Sequence, residues 1–578
     1  MSNGSMLISA ATQRNWGKLK TESSERLKRR ANKSRSEKFV VPENYVCIDG
    51  LESLIHQVVE CPCSEKDIFY CLCLKKLSHL RNNSNVSKFI SEYDSDVNID
   101  FIIHEEILQD TSRDWLGFLY QMRVPEGQRN LQGQYYTNFS IVKEMLSGVS
   151  VLPDQSFLDP CCGTGAFLMN AGASSLSQLF GVDNDEIAIM IAKANLIALY
   201  PDDVVYPQLF CEDYLEDAAF STSNIADKNF DFIYTNPPWG ISKTGKYSSI
   251  AIQSGERSSL FFVKAFGQLK AGGRLSFLMP SSLLKIKVHR DIRSFIVTKT
   301  KIEGITLYNE RFNGVFTDFF SVTISRQDSV DMQSYFVKKG EQVFEVRKAV
   351  VCGNSDIELN ASGDQEILAL IEEKGNDNLS KSIWALGIVT GDNKNKLKKE
   401  IEQGYEPIYT GKDIDRYCLK TPSNYILYDR SQLQQCAKDE YYRCAEKLVY
   451  RFISKTLCFA YDNSESLFLN SSNILIPHID GMSIKTVLAF LNSELFTYYY
   501  SKKFVDIKIL KGNLMTLPFP KITAKQDADI SEMVNRILGG EKTLIGAVDD
   551  YIYSLYGLSP NIVDKIKTEI YGNTDCSA

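Results

Sequence analysis

Short apolar runs that each stop at a polar turn constrain the fold of this chain more than any other feature. The runs occupy residues 156–158, 178–182, 206–211, 231–234 and 274–279. Each is brief and is bounded by turn residues, as strands are. A helical pattern follows the first turn, and another spans residues 258–269 before a glycine stop. Strands that alternate with helices predict a doubly wound α/β sheet.

The fourth run ends in a turn that presents chemistry to a ligand. Asn236 offers an amide oxygen, and Pro237 offers a carbonyl in a turn that Pro238 stiffens further. Trp239 adds a flat ring. Two hydrogen-bond acceptors and a stacking surface suit a planar group with an exocyclic amine, such as adenine. An ordinary structural turn of the same composition is the alternative.

A glycine-rich turn follows the first run. Asp159 and Pro160 lead into Gly163 and Gly165, which let the backbone turn sharply and approach a ligand. The helix that follows supplies free N–H groups at its start. No Gly-Lys-Ser/Thr sequence comes next, so the turn is not a P-loop.

Acidic residues follow the second and third runs. Asp183 and Asp185 lie about 20 positions beyond the glycine turn, where a carboxylate can bind a ribose diol. Either could serve, and the position at the strand end favours Asp183. Asp213 and Tyr214 follow the third run. A single carboxylate of this kind is more often solvated, but four polar strand ends in this order indicate one ligand site.

These motifs resemble those of amino-methyltransferases, which transfer a methyl group from S-adenosylmethionine. Their order resembles the gamma group of DNA adenine-N6 methyltransferases over about residues 114–520. The resemblance implies catalysis by Asn236, Pro237, Pro238 and Trp239. It also implies cofactor binding by Tyr136, Thr137, Asp159, Pro160, Gly163, Gly165, Asp183, Asp213 and Tyr214.

Within that family, individual contacts can be assigned to positions of this chain. Asp159 would meet the methionine amino group, Asp183 the ribose and Asp213 the adenine amine of the cofactor. Thr137 would meet the cofactor carboxylate. The family usually has Thr-Pro where this chain has Thr137-Asn138, so the rigidity of this loop is open. Either Asn138 or Ser140 could cap the helix that follows.

Two further segments have weaker assignments. Phe312 and Phe316 lie in a segment that resembles the family motif closing over the target base, although aromatic residues there are more often core. Lys243, Lys246 and Arg257 follow the Asn-Pro-Pro-Trp turn in a loop rich in glycine and serine. They are candidates for DNA phosphate contact, and a solvated loop is the alternative.

Length indicates several domains. A chain of 578 residues suggests about three or four. We expect a Rossmann-like methyltransferase sheet, preceded by a helical region and followed by an α+β target-recognition domain. The expected divisions are a basic tail (1–45), a helical region (46–125), the methyltransferase domain (126–330), a charged connector (331–380), the target-recognition domain (381–525) and a helical C-terminal segment (526–578).

The target-recognition prediction rests on several fragments in sequence order. Residues 384–394, 408–414, 468–477, 490–496 and 511–520 resemble parts of the recognition domains of DNA methyltransferases and type I specificity subunits. Each fragment could also be ordinary packing of sheet and helix. A nuclease would be indicated by an Asp followed by Glu-x-Lys at strand ends, and the sequence has no convincing match to that pattern. Cleavage would therefore belong to another subunit.

Composition excludes several classes of protein. A chain with 44% hydrophobic and 24% charged residues is typical of a soluble globular protein. No run approaches the roughly 18 apolar residues that span a bilayer, and the polar start lacks a signal-peptide core. We therefore expect a cytoplasmic protein without a membrane partner. The net charge of −7 argues against indiscriminate nucleic-acid coating, although a local basic face can still bind phosphate.

Two local compositions leave questions open. Ten lysines and arginines between Arg14 and Lys38 make the N-terminus basic, which suits either a solvated tail or contact with DNA. The 14 cysteines are scattered through apolar segments and are expected to be reduced. The proposed reaction requires no metal. Four cysteines lie close together in the sequence: Cys61, Cys63, Cys71 and Cys73. Whether they bind a metal stays open.

The sequence therefore predicts a site-specific DNA adenine-N6 methyltransferase that uses S-adenosylmethionine and acts on double-stranded DNA. Restriction or defence-system subunits are possible partners, and the oligomeric state is open. One alternative is methylation of RNA or of a protein glutamine, since the same turn serves those amines. Another is a DNA-binding assembly subunit that keeps the fold with little activity.

Overall fold

The computed structural model describes residues 50–80, 82–94, 97–123, 137–216, 225–242, 252–308, 318–327, 332–350, 357–454, 456–504 and 508–572. The chain divides into two compact units, residues 1–359 and 360–578. Several predicted positions lie outside the described residues: the basic tail, Tyr136, Lys243, Lys246, Phe312 and Phe316.

The first unit is built on a nine-stranded sheet. Its strands are β1 (Phe157–Asp159), β2 (Leu179–Asp183), β3 (Gln208–Cys211), β4 (Phe230–Thr235), β5 (Leu269–Pro280), β6 (Lys301–Leu307), β7 (Phe319–Ser325), β8 (Met332–Lys339) and β9 (Gln342–Ala349). Their order is β3-β2-β1-β4-β5-β7-β6-β8-β9. The first five strands are parallel, and β7 runs antiparallel between β5 and β6. The predicted doubly wound sheet is confirmed, and its strand order reverses between β1 and β4.

Alternating side chains of the strands enter two separate hydrophobic cores. Leu158 and Ile233 lie in one core, whereas Phe157 and Tyr234 lie in the other. Successive side chains of a strand point to opposite faces, so both faces of the sheet are covered. The long helices of this unit are α1 (Leu51–Glu60), α2 (Glu65–Lys76), α3 (Ser84–Glu92), α5 (Trp115–Arg123), α8 (Glu186–Leu199), α9 (Arg257–Gly267) and α11 (Arg290–Lys299). The short ones are α4 (Glu105–Gln109), α6 (Phe139–Met145), α7 (Ala166–Met169) and α10 (Ser282–Lys285).

The N-terminal helices form a third core against α8. Leu51, Leu54 and Val58 of α1 recur at helical spacing and are buried, as the sequence pattern predicts. The same core includes Ile191 and Ala194 of α8. Helix α8 is apolar on all sides because the sheet covers one face and the N-terminal helices cover another. The N-terminal helical region is therefore part of the first unit.

Three local expectations are corrected or resolved. Helix α9 ends at Gly267, so the glycine pair at 272–273 does not stop it and lies within β5. The expected connector 331–380 contains the β8–β9 hairpin, which completes the central sheet. Its alternating side chains, with Val337 buried and Phe336 exposed, mark strands rather than a linker. Asn138 caps α6, since its side chain accepts from Ser140 N at 3.3 Å.

The second unit combines small sheets with helices. The strands are β10 (Gly375–Asp377), β11 (Ile383–Leu386), β12 (Leu397–Lys398), β13 (Glu406–Tyr409), β14 (Tyr425–Ile426), β15 (Lys447–Arg451), β16 (Phe459–Asp462), β17 (Leu467–Phe468), β18 (Ser472–Ile476) and β19 (Phe519–Pro520). They pair as β11-β18-β15-β16, β12-β14-β13-β17 and β10-β19. The helices are α12 (Ser362–Lys374), α13 (Asn393–Lys396), α14 (Asp439–Tyr442), α15 (Ile484–Asn492), α16 (Glu494–Lys503), α17 (Lys511–Leu514), α18 (Ala524–Leu538), α19 (Ile545–Tyr556) and α20 (Pro560–Tyr571). The predicted α+β architecture is confirmed.

Three of the fragments that suggested a recognition domain meet in this unit. Ile388 N donates to Phe468 O at 2.7 Å, and Leu469 N donates to Tyr409 O at 2.8 Å. A Cβ on Gly387 would lie 2.2 Å from the Leu469 carbonyl oxygen, so only glycine allows this approach. The fragments around residues 387, 411 and 469 thus form one packed element.

Candidate active site

The carboxyl ends of four neighbouring strands place the predicted residues at one edge of the sheet. Asp159 ends β1 opposite Gly181 of β2, and Asp183 ends β2 opposite Cys211 of β3. On the other side of β1, strand β4 runs parallel and ends at Thr235, directly before Asn236. Parallel order brings these ends together at the point where the strand order reverses, which is where open α/β sheets bind ligands.

The glycine turn is held by a contact with the second strand end. Gly163 N donates to Asp183 Oδ2 at 2.8 Å. Gly163 and Gly165 have φ angles of 48° and 96°, in the left-handed region that favours glycine. A Cβ on Gly163 would meet no atom within 4 Å, whereas one on Gly165 would lie 3.4 Å from Ala192 Cβ. The space above Gly163 is open to a ligand, and Gly165 serves close packing against α8.

Asp159 is a buried carboxylate, and burial disfavours its ionised form. It is 1% exposed and accepts from Thr235 Oγ1 at 2.6 Å and from Cys161 N at 3.1 Å. Both donors reach the same oxygen, Oδ1. Burial raises the pKa of Asp159 to about 7, and the nearby Asp183 carboxylate adds to the increase. A positively charged group beside Asp159 would stabilise its ionised form.

The two carboxylates after β2 have different surroundings. Asp185 caps α8 through Ile187 N at 3.0 Å, and its other oxygen accepts from Tyr120 Oη at 2.7 Å. Asp183 lies at the strand end, and burial raises its pKa to about 6. Both oxygens of Asp185 and both oxygens of Asp183 accept hydrogen bonds within the protein, so Asp183 stays the predicted ligand-binding carboxylate on its position at the strand end. Asp213 follows β3 and accepts from Leu215 N at 3.1 Å.

Tyr214 is a core residue. It is 1% exposed, its ring stacks on Phe261 at 5.4 Å, and its hydroxyl donates to Gln268 Oε1 at 2.6 Å. The hydroxyl would otherwise be a buried group without a partner. The ring lies among core side chains, and the expected cofactor contact of Tyr214 stays a prediction.

Asn236 is linked to a residue from far upstream. Its Nδ2 donates to Thr137 Oγ1 at 3.1 Å, and Thr137 is 6% exposed. Thr137 was expected to meet the cofactor carboxylate. A hydroxyl that accepts one bond still has a proton to donate, so both contacts are compatible. The bond turns the amide nitrogen of Asn236 towards Thr137.

Trp239 is held in place both by ring packing and by a hydrogen bond. Its ring is 8% exposed and packs against Phe319 with centroids 6.0 Å apart. Its Nε1 donates to Leu278 O at 3.3 Å. Pro237 is buried and Pro238 is half-buried beside it. The sequence identified this turn, but it gave no sign that the indole also fixes the turn to β5 and β7.

Glu256 and Arg257 hold the end of the turn. Gly240 N donates to Glu256 Oε1 at 3.0 Å, and Arg257 Nη2 donates to the Trp239 carbonyl at 2.9 Å. Glu256 is 4% exposed, and burial raises its pKa. Arg257 was expected to contact DNA phosphate, but its guanidinium binds the backbone of the turn. A polar pair directly before an apolar helix is the signal that sequence analysis did not use.

The described parts of the chain contain neither a candidate metal cluster nor a candidate membrane span. No group of three or more His, Cys, Asp or Glu side chains there could hold an ion. Cys61, Cys63, Cys71 and Cys73 are free thiols, and burial raises the pKa of Cys73. No described helix is both long and apolar enough to cross a membrane.

Comparison with known proteins identifies both units. Residues 111–350 match the model of the N-6 DNA Methylase family, and residues 406–519 match the TaqI-like C-terminal specificity domain. The first unit therefore contains a segment similar to the N-6 DNA methylases. The chain joins this segment to one similar to a specificity domain, as expected from the motif order and the recognition fragments.

Relatives of this chain are restriction-modification proteins. It is 28% identical to the type II methyltransferase M.VspI of Vibrio sp. (strain 343) over 351 residues, 58% of this chain and 83% of the relative. It is 25% identical to the type II methyltransferase M.HincII of Haemophilus influenzae over 210 residues, which is 33% of this chain and only 37% of the relative. Among solved structures, the type IIL restriction-modification enzyme MmeI in complex with DNA superposes with a TM-score of 0.48 and 14% identity. That superposition covers 80% of this chain and 74% of the MmeI chain.

Proposed function

We propose that this protein transfers a methyl group from S-adenosylmethionine to adenine N6 at a specific double-stranded DNA sequence. One observation carries the proposal. Thr235 Oγ1 donates to Asp159 Oδ1 at 2.6 Å, and Thr235 is followed directly by Asn236. A carboxylate suited to the ammonium of the donor is thereby joined, through a single residue, to the amide suited to the acceptor amine.

The residues fit the cofactor chemically. Asp159 and Asp183 have raised pKa values of about 7 and about 6. A ligand that supplies positive charge or hydrogen-bond donors would stabilise the ionised form of each carboxylate. Open space lies above Gly163. Asp159 would hold the amino group, and Asp183 would hold the ribose hydroxyls. When bound, S-adenosylmethionine supplies a methyl group that is activated by its positively charged sulfur.

The turn at residues 236–239 would orient the target nitrogen. The Asn236 side-chain oxygen and the Pro237 carbonyl accept hydrogen bonds from N6–H2, which draws the nitrogen lone pair out of conjugation with the ring. The bound donor would supply the methyl group, and the surplus proton of the methylated nitrogen would pass to water. Holding the two reacting atoms in line accounts for much of the rate enhancement. No step needs a metal.

Access to N6 requires the base to leave the helix. A duplex buries adenine N6 within the stacked pair, so the methylase must turn the nucleotide out and recover the cost through pocket contacts. The Trp239 ring is the proposed stacking surface, and Arg257 holds the turn through the Trp239 carbonyl. The TaqI-like unit would supply sequence recognition. Subunits of a restriction or other defence system are the proposed partners.

Modified-base sequencing tests the proposal directly. Cells carrying the wild-type gene should contain one methylated adenine motif that is absent from cells carrying Asn236→Ala. Asn376→Ala is the matched control, because Asn376 is exposed in the second unit and bonds to the Lys374 carbonyl at 2.7 Å. Identical methylation in all three strains would contradict the assignment. Label from methyl-labelled cofactor found in RNA or protein and not in DNA would support the other acceptor class.

A further inference from the structure

Helix α5 of the N-terminal region contacts both loops of the proposed cofactor site. Asp114, the residue before α5, meets the glycine turn through Thr164. Tyr120, within α5, meets the loop after β2 through Asp185. The two contacting positions are six residues apart, so one short rigid element reaches both loops.

Asp114 is the centre of a buried polar cluster. It is 4% exposed, and its Oδ2 accepts from Thr164 Oγ1. Its Oδ1 accepts from Gly117 N at 2.8 Å and from Asn195 Nδ2 at 2.7 Å. Asn195 Nδ2 also donates to Thr164 O at 3.0 Å, so both the side chain and the backbone of Thr164 are fixed. Thr164 stands between Gly163 and Gly165, in the middle of the glycine turn.

Gly117 makes this approach possible. A Cβ at position 117 would lie 2.1 Å from Asp114 Oδ2 and 2.2 Å from Thr164 Oγ1. Glycine is a poor helix former compared with alanine. A side chain at position 117 would block the close approach of Asp114 to Thr164, which explains why glycine stands inside this helix.

Tyr120 fixes the second loop. Its hydroxyl donates to Asp185 Oδ2 at 2.7 Å, while Asp185 Oδ1 caps α8. Asp185 N in turn donates to Asp183 Oδ1 at 3.0 Å. Tyr120 is therefore two hydrogen bonds away from the carboxylate proposed to hold the ribose. The Tyr120 ring packs edge-on against Phe69 at 5.1 Å, which sets the direction of the hydroxyl.

We propose that Asp114 and Tyr120 are positioning residues for the methyl donor, which fix the glycine turn and the β2 loop at the spacing that the cofactor requires. The proposal rests on the function given above, since it assigns these residues to the same site. They would act through Thr164 and Asp185 without touching the cofactor. The N-terminal helical region would thus be a working part of the donor site.

Tyr120→Phe tests one arm, because it removes the hydroxyl and keeps the ring. Tyr206→Phe is the matched control. Tyr206 Oη donates to Glu92 Oε2 at 2.6 Å and so also joins the N-terminal helices to the sheet domain. Tyr206 lies before the amino end of β3, whereas the proposed site lies at the carboxyl ends of the strands. Calorimetry with S-adenosylmethionine, steady-state methylation of DNA and thermal unfolding should be measured on the full chain.

The expected result separates the two variants. Tyr120→Phe should weaken donor binding and raise the donor KM by roughly tenfold, with kcat at saturating donor within about twofold of wild type. Tyr206→Phe should leave donor binding unchanged even if both variants unfold at similarly lowered temperatures. Equal donor affinity in Tyr120→Phe and wild type would overturn the proposal, as would an equal loss in both variants.

Thr164→Val and Gly117→Ala test the other arm. Valine keeps the shape of threonine without its hydroxyl, and alanine at 117 would push Asp114 away from Thr164. Both should raise the donor KM by roughly tenfold at nearly unchanged kcat, and normal donor affinity in the folded variants would contradict the Asp114 arm. Wild-type chain that binds no S-adenosylmethionine would instead refute the proposed function, so the two failures are distinguishable.

Discussion

Thr137 and Asn236 lie 99 residues apart, and a hydrogen bond of 3.1 Å joins Oγ1 of the first to Nδ2 of the second. The amide of Asn236 can be held in either of two orientations, which exchange its oxygen and nitrogen. The nitrogen of Asn236 faces Thr137 Oγ1, so the amide oxygen points away from Thr137. A hydroxyl can donate or accept, and Thr137 selects this orientation when its own proton is donated elsewhere, as in the proposed contact with the cofactor carboxylate.

Removal of the Thr137 hydroxyl should slow methyl transfer. Thr137→Val keeps the shape but releases the Asn236 amide, so we expect kcat to fall by about tenfold. Thr137→Ser retains an acceptor and should stay near the wild-type kcat. Single-turnover methylation of a DNA duplex measures the chemical step. Equal rates for the valine and serine variants would show that this bond does not orient Asn236.

Donor affinity should depend on pH through Asp159. Its pKa of about 7 means that the carboxyl is mostly protonated below pH 7, whereas the donor ammonium prefers the ionised form. Affinity should therefore fall as pH decreases below 7, by up to about tenfold per pH unit. Titrations between about pH 5.5 and 7.5 keep the donor amino group charged. Asp159→Asn should bind weakly, with most of this pH dependence removed. An unchanged slope in that variant would assign the effect to another group, such as Asp183.

Arg257→Ala should affect catalysis without affecting DNA phosphate contact. Arg257 Nη2 donates to the Trp239 carbonyl at 2.9 Å, so its loss should loosen the turn and lower kcat by about tenfold. The dependence of DNA binding on salt should stay as in wild type. A residue that contacts phosphate would instead reduce the salt slope by about one when removed. Fluorescence anisotropy at several salt concentrations distinguishes the two roles.

A buried ion pair supports the second unit. Lys447 Nζ lies 2.6 Å from Asp462 Oδ2, and their side chains are 0% and 1% exposed. Lys447→Met leaves a buried carboxylate without its cation and should lower the free energy of unfolding by about 3–5 kcal/mol. The double variant Lys447→Met/Asp462→Leu removes the unpaired charge but also the acceptor of Ser464 N and Ser466 N, so it should recover only part of that loss. Urea unfolding of the full chain measures both, and equal losses in the two variants would contradict an ion-pair origin.

Local signals predicted the strand ends, but not the contacts that hold them. Asp159, Asp183 and Asn236 were recognisable because an apolar run followed by a polar turn is a local pattern. The bond from Asp114 to Thr164 spans 50 residues and depends on how α5 packs, which no local pattern contains. The core packing of Tyr214 was not predicted for the same reason. Its neighbour Asp213 matched the motif, while burial against Phe261 decided the position of the ring.

Ile241 pairs with Glu256 as an antiparallel bridge, and Ser242 N donates to Gly255 O at 2.8 Å. The residues that flank positions 243–251 are thus fastened to each other directly beside the turn at residues 236–239. Closing a loop costs free energy that grows only slowly with its length. Replacing residues 243–251 with segments of different size and charge should therefore leave the turn at residues 236–239 in place, and this segment is where we expect DNA affinity to be alterable by design.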